Sequence, residues 1–364
     1  MDASQIARRF PLVARPRPAC PPLSERLREI TDLAAIAERD GDLIKAAVAQ
    51  NKAALIASDC GLTALARTLC WSHAKVYLDA VRPLTGQAAR LALEPLVNLA
   101  RLRIRAADGE GAYESLTTLF RGVSKQMPQV AIEGQVLSLA DLVATEDDLR
   151  QIVQWLWAVL LADGTRALTT AGRWQEALHE IEQHKGVGSR LLDGRQVAVL
   201  ARLDAGESAA ALELIETTRF GEPWEEDIAS CLAVACLNQG TQPTKEATAR
   251  MARRYCDGRL EAGLVVFRTR WGLTALDLST DEDVAQVIIR RLVNETLTSA
   301  DGYAARELLE YPSADKILTD ETQRALRTIT ESAGLCRGHA SHGAATRLRD
   351  DASRAQGVTL RGLR

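Results

Sequence analysis

Aromatic side chains are scarce: Phe, Trp and Tyr together make up 4% of the 364 residues. A core with so few rings must be filled by Leu, Ala, Val and Ile, and hydrophobic residues reach 46% of the chain. Ala and Leu favour helix at little entropic cost, and Ala lets helices approach closely. No apolar run of about 18–20 residues occurs, which excludes an ordinary membrane-spanning helix. Met1 to Arg17 carries basic residues without an apolar segment of the signal-peptide kind, so a cytoplasmic location is expected. The net charge is only -3, which gives no general attraction to nucleic acid or to an anionic membrane. The seven cysteines (Cys20, Cys60, Cys70, Cys231, Cys236, Cys256 and Cys336) are odd in number and widely scattered, with no CxxC pair. They read as small apolar fillers rather than as a disulfide framework.

Catalytic signatures are equally sparse. No glycine-rich phosphate loop follows a strand pattern, and Gly186-Val187-Gly188 is too short for one. There is no HExxH, no GxSxG and no helix with paired histidines. His179 and His184 are five apart and share a helix face poorly, while His339 and His342 sit in a Gly-, Ser- and Arg-rich tail. No metal site and no cofactor are expected. Glu146-Asp147-Asp148 and Glu225-Glu226-Asp227 read as acidic helix starts, where carboxylates meet exposed amide dipoles.

What is present is helix after helix. Residues 1–23 form a proline- and arginine-rich arm, with Pro11, Pro16, Pro18, Pro21 and Pro22 excluding a continuous helix and Arg8, Arg9, Arg15 and Arg17 supplying charge. The arm reads as an irregular segment laid on the body or a loose tail, with a partner-contacting basic arm as the functional alternative. The body spans 24–333, with breaks near 184–190 and 239–243 as the places where it would subdivide. Residues 334–364 read as a flexible tail. Ser24 is the expected first N-cap, Ile132 to Ala144 a short helix, and Thr145 the N-cap of a helix that is apolar on nearly all sides.

Five turns share one grammar: Gly109 to Tyr113, Gly172 to Leu178, Gly206 to Ala210, Gly258 to Ala262 and Gly302 to Ala305 each place a Gly before an Ala-bearing helix. Gly172-Arg173-Trp174-Gln175-Glu176-Ala177-Leu178 in particular resembles the turn and second helix of a tetratricopeptide repeat. Successive glycines are 63, 34, 52 and 44 residues apart. The resemblance implies an all-α fold, a tetratricopeptide-like α-solenoid of stacked antiparallel helical hairpins. The block from Asn51 to Trp71 is also similar in style to uncharacterised actinobacterial proteins, some of which accompany regulatory or specialised-metabolite genes.

The segment 87–107 carries the clearest candidate surface. Arg90, Glu94, Asn98, Arg101 and Arg105 are spaced 4, 4, 3 and 4, which puts them on one helix stripe. Asn98, Arg101 and Arg105, extended by Asn51, could hold an acidic peptide or a carboxylate; the plainer reading is a solvated face with local ion pairs such as Arg90–Glu94. His73 lies on an apolar stripe beside Trp71 and Tyr77. It reads as a half-buried hydrogen-bonded histidine, with a ligand or acid–base role as the alternative. Cys70 is expected to be core. The leading expectation is a protein- or peptide-binding scaffold or regulatory adaptor whose concave surface takes a partner with acidic or carboxylate groups, with homo-oligomerisation open. The alternative is an all-helical enzyme or small-molecule-binding protein, in specialised metabolism, with a central pocket near His73, Trp155 or Trp157.

Overall fold

A computed structural model describes residues 9–81, 83–240, 245–335 and 342–363. Arg8 of the arm, the linker at 241–243, Cys336 and His339 lie outside the described residues. The first series of elements is α1 (Leu23–Asp40), α2 (Leu43–Asp59), α3 (Thr63–Leu78), α4 (Gly86–Arg105), α5 (Gly109–Ser124), the strands β1 (Gln129–Ile132) and β2 (Gln135–Ser138), and α6 (Glu146–Val159). A π-helical turn, Leu160–Gly164, joins α6 to α7 (Thr165–Thr170). The second series is α8 (Trp174–Gln183), α9 (Asp193–Asp204), α10 (Ser208–Glu216), α11 (Pro223–Gly240), α12 (Lys245–Asp257), α13 (Val265–Leu278), α14 (Glu282–Ser299), α15 (Gly302–Leu309), α16 (Ala314–Ile317) and α17 (Asp320–Ser332). The last helix is α18 (His342–Gly362). Among the described residues the fold is all-α apart from one hairpin. No helix among the described residues is long and apolar enough to cross a membrane.

The chain divides into two compact units, and each takes one terminus from the far end of the sequence. One unit holds Pro22–Ala171 with Gly334–Arg364; the other holds Met1–Pro21 with Gly172–Ala333. The division between Ala171 and Gly172 coincides with neither of the breaks that the sequence suggested.

In the first unit, α1 to α5 pack each on the next, and α2 also meets α4, as α4 meets α6. Short links make such neighbours antiparallel. The seams are built from fully buried alanines such as Ala34, Ala53, Ala66, Ala89, Ala92 and Ala100, around Leu93, Leu96, Leu99 and Tyr77. Side-chain caps start several helices. Asp42 accepts from Ile44 and Lys45 N–H, and Thr145 accepts from Asp148 N–H as its sequence predicts. Ser24 is not a cap: α1 begins at Leu23, with Pro22 before it.

Two expectations change here. The segment Ile132 to Ala144 is not a helix; β1 and β2 pair antiparallel with Ile132 opposite Gln135, through Glu133 and Gly134 at φ 51° and 77°. Val130, Ile132 and Leu137 are buried, and the period of two that this requires is visible around the Glu-Gly pair. Glu133 then locks the hairpin onto α3 and α4. Its carboxylate accepts from Arg67 at 2.9 and 2.5 Å, from the Trp71 indole at 3.3 Å and from Arg103 at 2.8 Å. Its side chain is only 3% exposed. Glu133→Gln is therefore expected to lower stability by about 2 kcal/mol, the worth of a charge-assisted set of bonds, read in chemical denaturation; an unchanged midpoint would make the clamp incidental.

The second change is at the tail. Residues 342–362, expected to be flexible, form α18, which packs on α1, α2 and α3. Leu348, Ala352, Ala355 and Val358 recur at helical spacing and are buried. Thr31 donates to Asp351 at 2.7 Å and Arg354 to Glu38 at 2.8 Å at the edges of this contact. The Ala-rich stripe was hidden among polar residues that cover the outer face.

In the second unit, sequence neighbours from α8 to α15 again pack on one another. Next-but-one contacts join α9, α11, α13, α15 and α17 in succession, and α12 joins α14. The helices thus fall into two layers. Residues 9–21 have no helix or strand and lie on this unit, as a laid-down arm rather than a free tail.

Candidate functional site

The candidate residues of the first unit come from three neighbouring helices. Asn51 is in mid-α2, His73 near the end of α3, and Asn98, Arg101 and Arg105 in the second half of α4. Thr85 caps α4 by accepting from Ala88 N–H, and the helix runs through Pro95 without a new start. Its buried face is Leu93, Leu96, Val97, Leu99 and Ala100, so residues 94, 98, 101 and 105 are turned away from the packed seam.

Four of the five candidates form one hydrogen-bonded chain. Arg101 Nη1 donates to Asn98 Oδ1 at 3.0 Å, and Asn98 Nδ2 donates to Asn51 Oδ1 at 3.1 Å. His73 Nδ1 lies 3.2 Å from the same Asn51 oxygen. Because that oxygen accepts, the network assigns the proton to His73 Nδ1. The ring is 1% exposed, and its Nε2 has no hydrogen-bond partner. Burial pulls the His73 pKa down to about 3, so the ring is neutral near pH 7. Tyr77 lies beside it, ring centroids 5.8 Å apart.

The outer end of the chain is completed by a residue that the sequence reading missed. Arg101 Nε donates to Asp163 Oδ2 at 2.9 Å and Nη2 approaches the same oxygen at 2.8 Å. Asp163 belongs to the π-helical turn, a widening found most often at functional positions. The signal was an acid inside the otherwise apolar run that begins at Ile152. Further along α4, Arg90 packs over the Trp155 ring at 5.3 Å, linking the stripe to α6.

Arg105 belongs to a different cluster. Its Nη1 donates to Ser58 Oγ and Asp59 Oδ1, both at 3.0 Å, and Asp59 is also paired with Arg26. The Asp59 side chain is fully buried, and this triad ties α1, α2 and α4 together. Both candidate arginines therefore already hold an internal carboxylate, though their side chains remain 46% and 43% exposed.

His73 cannot take up a proton near neutral pH, and Cys70, three residues earlier, has its thiol pushed up to about 12, chiefly by burial and also by the Glu133 carboxylate. Among the described residues no three His, Cys, Asp or Glu side chains converge as a metal-ligand set. A cavity of about 180 Å³ opens between α2, α3 and α18, lined by Gln50, Leu65, Ser72, Arg349, Ser353 and Gln356 among others. Neither His73 nor Trp155 nor Trp157 lines it. No protein family, curated protein or solved structure matches the chain.

Proposed function

We propose that the chain is a binding scaffold of tetratricopeptide-like helical hairpins that takes an extended protein segment bearing carboxylates, along the Asn51–Asn98–Arg101 strip. The observation that carries this reading is the strip itself. Two amides and a half-exposed guanidinium lie in one line across α2 and α4, and the line ends on Asp163. Side-chain amides match main-chain donors and acceptors, and a guanidinium is shaped for a carboxylate. Asp163 then acts as an internal stand-in that a partner's carboxylate displaces or shares. The repeat-like reading is supported by the next-but-one helix packing, and by Gly172 and Gly206. These two lie 34 residues apart and both take left-handed turns, at φ 74° and 79°. Gly109, Gly258 and Gly302, grouped with them in sequence, are not among the positive-φ glycines.

The test uses a panel of acidic peptides about 12 residues long and the full chain. Arg101→Ala should weaken the best binders at least tenfold, whereas Asp163→Asn should strengthen them several-fold by freeing the guanidinium. Arg150→Ala, on the exposed side of α6, serves as the control. Equal binding by the Arg101 and Asp163 variants would remove the strip from consideration. The enzyme or small-molecule alternative draws less support, since the neutral buried His73 lies outside the cavity described above.

A further inference from the structure

The second unit carries an irregular segment, residues 9–20, against one of its helix layers. Residues 9–20 cross α9, α13 and α15, three members of the same layer. Gln196 of α9, fully buried, reads the main chain of Leu12 in both directions. Its Oε1 accepts from Leu12 N–H at 2.7 Å and its Nε2 donates to Leu12 C=O at 2.8 Å. Gly263, just before α13, accepts from Arg17 N–H at 2.9 Å. At the N-terminus of α15, Asp301 accepts from Cys20 N–H at 2.8 Å, and Gly302 N–H donates to Cys20 C=O at 2.9 Å. These contacts to backbone groups do not depend on the arm's side chains.

Side chains supply the selectivity. Phe10, Leu12 and Cys20 are buried at 3%, 2% and 1% exposure, whereas residues 15–19 are exposed. Arg9 donates to Asp277 Oδ2 at 2.5 Å and stacks on Tyr311, whose hydroxyl donates to Asp277 Oδ1 at 2.8 Å. Arg15 Nη1 donates to Asp193 Oδ1 at 3.1 Å. Asp193 and Gln196 are three apart on α9, so one helix face provides both a charge and a main-chain reader. The two arginines are six residues apart in sequence, and each ends on an aspartate of the layer. The receiving face is acidic and the arm is basic.

We propose that the α9–α13–α15 face is a docking groove for non-helical segments of the pattern Arg-aromatic-Pro-Leu with a second arginine six residues after the first. The chain's own residues 9–20 are its tethered occupant, exchangeable with a segment of the same chemistry on a partner protein. This extends the scaffold reading to a second surface. Tethering gives the arm an effective concentration on the order of millimolar, so a partner's segment binds when it outcompetes the arm or when the arm is drawn away.

Hydrogen exchange on the unaltered full chain tests this first. The Leu12 and Cys20 amides should exchange at least tenfold faster than those of Leu273 and Ala275 in α13. Excess synthetic peptide of residues 9–21 should raise uptake in the tethered arm further. Arm amides that exchange in step with α13, and are unmoved by the peptide, would make the arm a fixed part of the core and overturn the proposal. Second, a fluorescein-labelled peptide of residues 9–21 should bind the full-chain Arg9→Ala/Arg15→Ala variant at least tenfold more tightly than the unaltered protein. Adding Gln196→Ala should abolish that gain. Equal affinity for the two proteins, or binding indifferent to Gln196, contradicts the groove. The probe here is basic and the assay for the Asn51–Arg101 strip is acidic, so either surface can fail alone.

Discussion

Arg268→Ala should lower the stability of the second unit by about 4 kcal/mol, as expected when one partner of a buried ion pair is removed. Arg268 is 3% exposed in the first turn of α13. Its Nε and Nη2 reach Glu295 of α14 at 3.2 and 2.9 Å, and Nη2 also donates to Tyr255 C=O at 2.9 Å. The guanidinium carbon lies 4.5 Å from the Tyr255 ring centroid and 4.9 Å from that of Trp271. One side chain thus joins α12, α13 and α14. Truncation leaves Glu295 with Arg291 alone at 2.6 Å, and opens a void beside two rings that stand edge to face against each other. The backbone has been shaped around the same group, since a Cβ on Gly258 would sit 2.6 Å from Arg268 Nη1. A paired replacement, Arg268→Met with Glu295→Leu, should recover at least half of the loss, because volume is kept and the one charge that loses its carboxylate, Arg291, is 36% exposed and keeps its bond to Gly258 C=O. The chain has two compact units, so a single unfolding midpoint would mix them. Segment-resolved hydrogen exchange of α13 under increasing urea is the suitable reading. A loss below about 1 kcal/mol would show that the ion pair and the ring contacts offset their own desolvation.

Helix content and most turns were legible because they depend on local chemistry. Thr145 caps α6 and Gly172 makes a left-handed turn. Where the reading failed, a tertiary contact decides the outcome. The hairpin 129–138 is short, and the Glu133 clamp to Arg67, Trp71 and Arg103 holds it in place. Nothing near Glu133 in sequence announces those partners. The stripe of α18 is mostly alanine, a residue that serves both surface and core, so only its packing on α2 reveals it. The exchange of termini between the units leaves no local trace.

The candidate strip was legible in position and less so in charge. Spacing along α4 placed Asn98 and Arg101 on one face with Asn51 as its extension, and the structure bonds these three together and brings His73 into the same line. Spacing could not show that Arg101 and Arg105 each have a carboxylate from elsewhere in the unit. Asp163 and Asp59 are 62 and 46 residues away in sequence. An acidic partner therefore meets a nearly balanced surface, and its affinity depends on how easily Asp163 gives way.

His73 should make the first unit acid-sensitive. An exposed histidine titrates near 6.5, while burial holds this one at about 3. As pH falls through 6.5 the unfolded chain takes up a proton that the folded ring refuses. The contribution is thus fully present above pH 6.5 and is lost progressively down to the folded value. The full displacement corresponds to roughly 5 kcal/mol, of which roughly 2–3 kcal/mol is lost between pH 6.5 and 4.5. The physical cause is the unpartnered Nε2, where a proton would have to be added without water, while Nδ1 already donates to Asn51. Carboxylates titrate over part of the same range, so the measured quantity is the difference between the protein and His73→Gln. That variant should be about 1 kcal/mol less stable at pH 7.5, because its amide fills the ring's place imperfectly, yet should lose less stability on acidification. The two curves should converge and then cross near pH 5 to 6. Hydrogen exchange of α3 amides across this range reads the unit directly. Parallel curves would mean that the ring finds water or a partner for Nε2, and would return His73 to consideration as a proton carrier.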